Sequence, residues 1–117
     1  MKYSIIYAVT RPEIKERLSV GIIITDGEKI EMRYSQDKLD VLRPLFSEKE
    51  YDFLQRVVKS MNTTRSVESV EGVNYLTRYS NNLITVSPLE NIDIEDTEQN
   101  RDWLFRNYVF DRERVSA

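Results

Sequence analysis

Apolar and polar residues alternate at the start of the chain with the two-residue period of a β-strand. The odd positions from Tyr3 to Val9 are apolar, which predicts a first strand over residues 2–10 with one face well buried. A charged connection that contains a proline follows over residues 11–17. The β-branched run over residues 18–25 is then typical of a central strand covered on both faces.

An Asp-Gly pair separates this second strand from a further alternating segment. Asp26 and Gly27 follow the β-branched run directly, and Ile30, Met32 and Tyr34 then share one side of the next segment. A tight type I′ turn needs positive φ at both central residues, which favours Asp-Gly. The pattern therefore predicts a β-hairpin.

The period next changes to that of an α-helix. Ser35 is placed to cap a short helix that ends before Pro44, because proline disfavours helical conformation in the residue before it. Ser47 and Glu50 have the spacing of a capping box. The apolar stripe that follows them predicts a second helix over residues 48–61.

The second half of the chain is mostly polar. Apolar residues between positions 73 and 79 fit one face of a short helix, and residues 83–86 fit another short strand. Asp96 is placed to cap a last helix whose apolar face includes Trp103, Leu104 and Tyr108. The whole pattern predicts an α+β fold with an antiparallel sheet of about four strands and helices packed on one face.

Length and composition leave room for one ordinary core. The chain has 117 residues, of which 40% are hydrophobic. We expect a single α+β domain over residues 1–110 and a charged C-terminal tail over residues 111–117. No apolar run approaches the roughly 20 residues of a membrane helix, and the N-terminal residues enter a strand pattern without an apolar leader. We therefore expect a cytoplasmic protein.

The chain contains no cysteine and no histidine. Their absence excludes disulfides, thiol nucleophiles, catalysis by a histidine base, and zinc centres built on those residues. Carboxylate, lysine, tyrosine and hydroxyl chemistry is left, with Mg²⁺ as the metal it would use. The chain has no nucleotide-binding glycine motif and no kinase signature, so we predict no cofactor. A net charge of -3 gives no basic footprint for nucleic acid.

Segments at both ends of the chain resemble a bacterial domain family of unknown function. Residues 3–7 are similar to the family's opening Tyr-Ser strand, and residues 16–26 to its Glu-Arg-x-Asn-Val-Gly-Val-Val segment, with Ser19 where the family usually has Asn. Residues 83–88 and 103–109 are similar to its closing strand and its Leu-Phe-x-x-Tyr-Val helix. Members are encoded beside HipA-like serine/threonine kinases, so the resemblance implies a regulatory partner such as a HipA-like kinase.

Three residues of the second strand are candidates for partner binding. Glu16 and Arg17 begin this strand, where they either meet a ligand or partner or simply form an exposed pair that ends the strand. Gly21 interrupts the β-branched run. A glycine there indicates a bulge or a close backbone approach, either by a helix of the chain itself or by a bound peptide.

Tyr75, Arg78 and Tyr79 form a second candidate surface. Tyrosine and arginine together are typical of protein interfaces and also of stacking on single-stranded nucleic acid. The negative net charge argues against nucleic acid. A core helix with one exposed arginine would have the same residues.

An acidic stretch runs through Asp93, Glu95, Asp96 and Glu98. These carboxylates supply enough oxygen ligands for Mg²⁺ or Ca²⁺. Acidic residues before a helix N-terminus are, however, favoured by the helix dipole alone. We therefore predict no metal site here.

The leading hypothesis is a non-catalytic protein-interaction or regulatory module that binds another protein through the candidate residues above. A second hypothesis is a small Mg²⁺-dependent enzyme acting on a phosphoester, with Glu16, Asp93 and Glu95 as ligands. A third is a nucleic-acid-binding module that uses the basic and aromatic side chains between Arg56 and Tyr79. The sequence leaves open whether the protein has any catalytic activity.

Overall fold

The computed structural model describes residues 1–14, 16–26, 30–61 and 83–109. Gly27 of the predicted turn, the short helix predicted between positions 73 and 79, and the C-terminal tail lie outside the described residues.

Five antiparallel strands form one sheet in the described residues. They are β1 (Lys2–Arg11), β2 (Glu16–Thr25), β3 (Ile30–Tyr34), β4 (Ile84–Val86) and β5 (Glu90–Asn91). The order across the sheet is β3, β2, β1, β4, and β5 pairs with β1 on the same side as β4.

Three α-helices accompany the sheet in the described residues. They are α1 (Gln36–Leu42), α2 (Glu48–Met61) and α3 (Glu98–Tyr108), with 3₁₀ turns at Pro12–Ile14 and Arg43–Leu45. The predicted α+β fold with an antiparallel sheet is therefore confirmed. None of these helices is long and apolar enough to cross a membrane.

The hairpin between β2 and β3 is confirmed by its strand pairing. The register runs from Gly21 opposite Tyr34 to Thr25 opposite Ile30. As predicted, Ile30, Met32 and Tyr34 all join one apolar cluster, which shows that they share one side of β3. The type of turn at Gly27 stays a prediction.

Side-chain caps explain where the first two helices begin. The Ser35 hydroxyl accepts a hydrogen bond from the Lys38 backbone N–H at 3.2 Å. The Ser47 N–H donates to Glu50 Oε1 at 3.0 Å, and the Glu50 N–H donates to Ser47 Oγ at 3.2 Å. Each cap satisfies backbone donors that the first helical turn leaves without partners. Both predicted caps are confirmed.

The start of α3 differs from the prediction. Thr97 is the N-cap, because its hydroxyl accepts from the Asn100 N–H at 3.1 Å. The Asp96 carboxylate instead binds the Arg101 guanidinium with two hydrogen bonds, at 2.6 and 2.8 Å. Aspartate and threonine both cap helices well. Because Arg101 binds the Asp96 carboxylate, Thr97 is left as the cap.

The buried face of α3 matches the prediction in part. Leu104 is fully buried as predicted, and Val109 just after the helix is nearly so. Trp103 and Tyr108, which were expected on the apolar face, are 44% and 36% exposed. Helical spacing alone did not show which of these neighbouring apolar residues would meet the sheet.

The larger apolar cluster lies on one face of the sheet, between the strands and helices α1 and α2. Its fully buried members include Ile6, Ala8, Val20 and Ile23 from the sheet, and Leu39, Leu54 and Val58 from the helices. Ser4 is also fully buried. The well-buried face of β1 is therefore the even-numbered one, whereas the apolar odd positions Tyr3 and Tyr7 are only half-buried.

A second cluster lies on the opposite face of the sheet. Ile22 and Ile24, which alternate with Ile23 along β2, pack there with Leu104 and Val109 from the α3 region. Helices therefore cover both faces, with α1 and α2 on one and α3 on the other, whereas the sequence pattern placed them all on one face. The expectation that β2 is covered on both faces is confirmed, since its residues from Val20 to Thr25 are all buried.

Candidate functional site

A groove lies on the face of β1 that carries the odd-numbered side chains. Tyr3, Ile5 and Tyr7 form its floor, and its walls come from Arg17 on β2, from Tyr108 on α3, and from the segment that links β4 to β5. On this face α3 packs against β2, and among the described residues no helix lies over Tyr7. The groove has a volume of about 560 Å³.

One end of the groove is formed by Arg17 and Tyr7. Arg17 is the second residue of β2 and lies opposite Val9 of β1, which brings its side chain beside Tyr7. The guanidinium carbon is 4.0 Å from the centre of the Tyr7 ring. Arg17 is exposed, and no carboxylate within the described ranges forms an ion pair with it. A stacked guanidinium keeps its N–H edges available for a carboxylate or another planar acceptor.

The other end is aromatic and acidic. The Tyr3 and Tyr108 rings stack with centroids 5.2 Å apart, and Trp103 meets Tyr108 edge-on at 6.2 Å. The Tyr3 hydroxyl donates to Glu90 Oε2 at 3.2 Å. Partial burial, followed by the effects of Tyr108 and Glu90, raises the pKa of Tyr3 to about 12. Tyr3 therefore remains a protonated donor at neutral pH.

The wall between the two ends depends on a break in strand pairing. β4 pairs with residues 6–8 of β1 and β5 pairs with residues 2 and 3, so Pro88 falls between the two short strands. Ser87 bridges this gap, because its hydroxyl accepts from the Ile5 N–H at 2.7 Å and its own N–H donates to the Ile5 carbonyl at 2.9 Å. The Ser4 hydroxyl in turn donates to the Ser87 carbonyl. Proline cannot donate to a ladder, so the serine side chain maintains the edge there.

Thr85 lies opposite Tyr7 and also lines the groove. Its hydroxyl oxygen is buried and has no hydrogen-bond partner in the part of the chain that the structure describes. A buried hydroxyl without a partner costs stability. The Thr85 hydroxyl oxygen is therefore a polar atom in the groove wall beside Tyr7 that forms no hydrogen bond with the described residues.

The structure separates the residues of β2 that were candidates for partner binding. Arg17 lines the groove. Glu16 does not, and its carboxylate accepts a hydrogen bond from the Thr10 hydroxyl at 2.6 Å. Gly21 is buried opposite Ile6, on the face that α1 and α2 cover. Tyr75, Arg78 and Tyr79 lie outside the described residues, and their role stays a prediction.

The acidic stretch takes part in ion pairs with two arginines. Asp96 binds Arg101, while Glu98 and Asp102 bind Arg33 of β3 at 2.6 and 2.5 Å. Within the described ranges, no group of three or more acidic residues is placed to hold a metal ion.

The carboxylates of the magnesium hypothesis do not come together. Glu16 lies opposite Arg11, whereas Glu90 lies opposite Tyr3, eight residues further back along β1. At the strand rise of about 3.3 Å per residue this is a separation of about 26 Å. The chain then continues past the end of β1, where the Ile92 N–H donates to the Met1 carbonyl. Asp93 and Glu95 therefore lie near the end of β1 opposite to the end where Glu16 lies. This separation excludes a shared Mg²⁺ site.

Sequence reasoning missed most of the groove. Tyr3, Tyr7, Glu90 and Tyr108 were not candidates, although the alternation along β1 already put the two strand tyrosines on one face. The signal was the same tyrosine and arginine enrichment that made residues 75–79 a candidate. It is spread over β1, β2 and α3, so it becomes visible only in the antiparallel register of the sheet.

Comparison with known proteins agrees with the expectation of a family without a known activity. The model of the family DUF3037, proteins of unknown function, matches residues 3–109, which include every residue of the groove. No curated protein and no solved structure matches the chain. The bacterial origin and the HipA-like neighbours stay predictions.

Proposed function

The chain belongs to the DUF3037 family of proteins of unknown function, and from that premise we propose that it is a non-catalytic protein-interaction module whose β1 groove binds a segment of a partner protein. The observation that carries the proposal is the stacking of Arg17 on Tyr7 at one end of the groove. Arg17 forms no ion pair with an acidic residue in the described part of the chain.

The residue types of the groove support this function. Tyrosine, tryptophan and arginine dominate the binding energy of protein interfaces, because they bury a large area and still offer a polar end. Tyr3, Tyr7, Tyr108 and Arg17 line one continuous surface, and Trp103 packs edge-on against Tyr108 beside it. Binding to these side chains needs no cofactor and no reacting group.

A regulatory role would follow if the bound segment belongs to an enzyme. A HipA-like kinase, the partner that the family resemblance implies, is the first full-length protein to present to the groove. Any other partner must likewise have an exposed segment that can reach Tyr7 and Arg17.

Selection from a phage library of short random peptides tests the proposal on the purified full chain. We expect enriched peptides that bind the wild type and bind Arg17→Ala roughly tenfold more weakly, a loss of about 1.4 kcal/mol. Tyr7→Ala should weaken the same peptides. Arg17 is exposed, so its substitution should leave the fold intact.

Two substitutions on α2 serve as matched controls. Arg56 and Phe53 are an exposed arginine and an exposed aromatic residue, and neither lines the groove. The peptides should bind Arg56→Ala and Phe53→Ala as tightly as the wild type. A selection that yields no peptides, or only peptides indifferent to Arg17 and Tyr7, would overturn the proposed function.

A further inference from the structure

We infer that the groove binds an extended segment by pairing an acidic side chain of the segment with Arg17 and a basic side chain with Glu90. This inference rests on the proposed function, since it takes the groove as the binding site and adds the chemistry of its ligand.

Opposite charges stand at the two ends of the groove. The Arg17 guanidinium lies over the Tyr7 ring, and the Glu90 carboxylate lies at the Tyr3 hydroxyl. Within the described ranges neither charge has an ion-pair partner of opposite sign. A ligand with one acidic and one basic side chain would satisfy both ends, whereas a ligand with two charges of the same sign would place like charges together at one end.

The distance between the two ends sets the spacing of the charges on the ligand. Tyr3 and Tyr7 are four residues apart on β1, which corresponds to about 13 Å along the strand. An extended segment advances about 3.2 to 3.4 Å per residue and places residues four positions apart on the same face. The acidic and basic residues of the ligand should therefore be about four positions apart.

The position of the groove on a sheet face favours an extended ligand that binds through its side chains. β2 occupies one edge of β1, and β4 with β5 occupies the other, so a ligand backbone cannot join the ladder of β1. A helix is about 10 to 12 Å wide and would need about nine residues to cover 13 Å. A narrow extended segment instead lays alternate side chains on the tyrosine rings.

Three synthetic peptides of equal length test the inference. One carries lysine and glutamate four positions apart, and the other two carry two lysines or two glutamates at those positions. β-Branched residues between the two positions favour a strand-like conformation, which places both charges on one face. We expect the full chain to bind the lysine–glutamate peptide roughly tenfold more tightly than either of the others in a fluorescence titration.

Reversing one charge of the protein should change the preferred peptide. Arg17→Glu makes both ends acidic and should prefer the peptide with two lysines, whereas Glu90→Lys makes both ends basic and should prefer the peptide with two glutamates. Both side chains are exposed, so these variants should keep the fold.

The outcomes separate this inference from the proposed function. If all three peptides bind the wild type equally but Arg17→Ala still weakens them, the groove is a binding site without charge selection, and the inference is overturned alone. If either single variant keeps the wild-type preference, the substituted residue does not bind the charge of the ligand, and the inference again falls. If neither these peptides nor any library peptide depends on Arg17 or Tyr7, both proposals fail.

Discussion

Gly21 lies where the pairing of β1 and β2 shifts by one residue. Ile6 pairs with Gly21 and Tyr7 pairs with Ser19, so Val20 is an extra residue in β2. A Cβ atom on Gly21 would lie 2.9 Å from the Arg33 carbonyl oxygen and 3.3 Å from both Ile6 Cδ1 and Tyr34 Cβ. The close approach comes from β3 of the same sheet. Gly21 therefore has a structural reason to be a glycine.

Substituting Gly21 tests this reading of the bulge. Gly21→Ala should lower the free energy of unfolding by about 1 to 3 kcal/mol, because the Arg33 carbonyl is backbone and cannot move aside easily. Urea unfolding followed by circular dichroism measures the change. The exposed Lys2→Ala on β1 should stay within about 0.5 kcal/mol of the wild type. Equal stability of Gly21→Ala and Lys2→Ala would contradict the predicted clash.

Tyr3 makes the stability depend on pH in the alkaline range. Its pKa is raised from 10.0 to about 12, so the folded state holds the proton more tightly than the unfolded state. The stability that this gives is fully present below pH 10 and is lost as the pH rises towards 12. Tyr3→Phe has no proton to lose at this position.

The melting temperatures of the two proteins should therefore converge at high pH. The wild type should melt above Tyr3→Phe at neutral pH, because Tyr3→Phe lacks the hydrogen bond to Glu90. The difference should narrow between pH 10 and 12. Melting curves that stay parallel over this range would show that Tyr3 titrates normally.

Arg33 joins the edge strand β3 to helix α3. Its guanidinium binds Glu31 on its own strand at 2.5 Å and reaches across to Glu98 at 2.6 Å and Asp102 at 2.5 Å. Arg101, which is 9% exposed, extends the network because it lies 3.7 Å from Glu31 and 2.6 Å from Asp96. Because α3 buries only a narrow apolar face, these ion pairs help to set its position on the sheet.

Removing the charge of Arg33 should loosen α3. We expect Arg33→Met to lower the free energy of unfolding by about 1 kcal/mol, a small effect for three ion pairs because Glu98 and Asp102 are mostly exposed to solvent. Amide hydrogen exchange in α3 should become faster. Arg56→Met on α2 is the matched control and should change neither quantity. An unchanged α3 in Arg33→Met would mean that apolar packing alone holds the helix.

At the scale of the whole molecule, the sheet lies between two layers of helices. The β-branched run of β2 indicated a strand covered on both faces, whereas the simplest two-layer arrangement of the predicted elements placed all the helices on one face. The structure confirms the prediction made from β2. Ile23 packs against α1 and α2, while Ile22 and Ile24 pack against the α3 region. The burial pattern of a central strand was therefore the better guide to the layers.

The groove also belongs to this largest scale. It combines Tyr7 of β1 with Arg17 of β2 and Thr85 of β4, and it is closed at one end by Tyr108 of α3. Its open part exists because α3 packs over β2 and leaves the β1 and β4 side of that face uncovered among the described residues. The candidate site is thus a product of how the layers fit together.

The sequence by itself determined the features that depend on neighbours a few residues apart. The strand alternation, the caps at Ser35 and Ser47, the bounds of α2 and the hairpin pairing of β2 with β3 all follow from spacings of two to four residues or from a short loop. The absence of cysteine and histidine likewise limits the available chemistry through composition alone.

Only the tertiary structure decided which faces meet and which distant charges pair. Arg33 binds carboxylates 65 and 69 positions away, and Arg17 stacks on Tyr7 because of an antiparallel register. Thr97 rather than Asp96 caps α3, because the Asp96 carboxylate binds Arg101. Residue spacing fixes directions within one element, but the partner across the sheet is chosen by the free energy of packing all the elements together, which no local pattern contains.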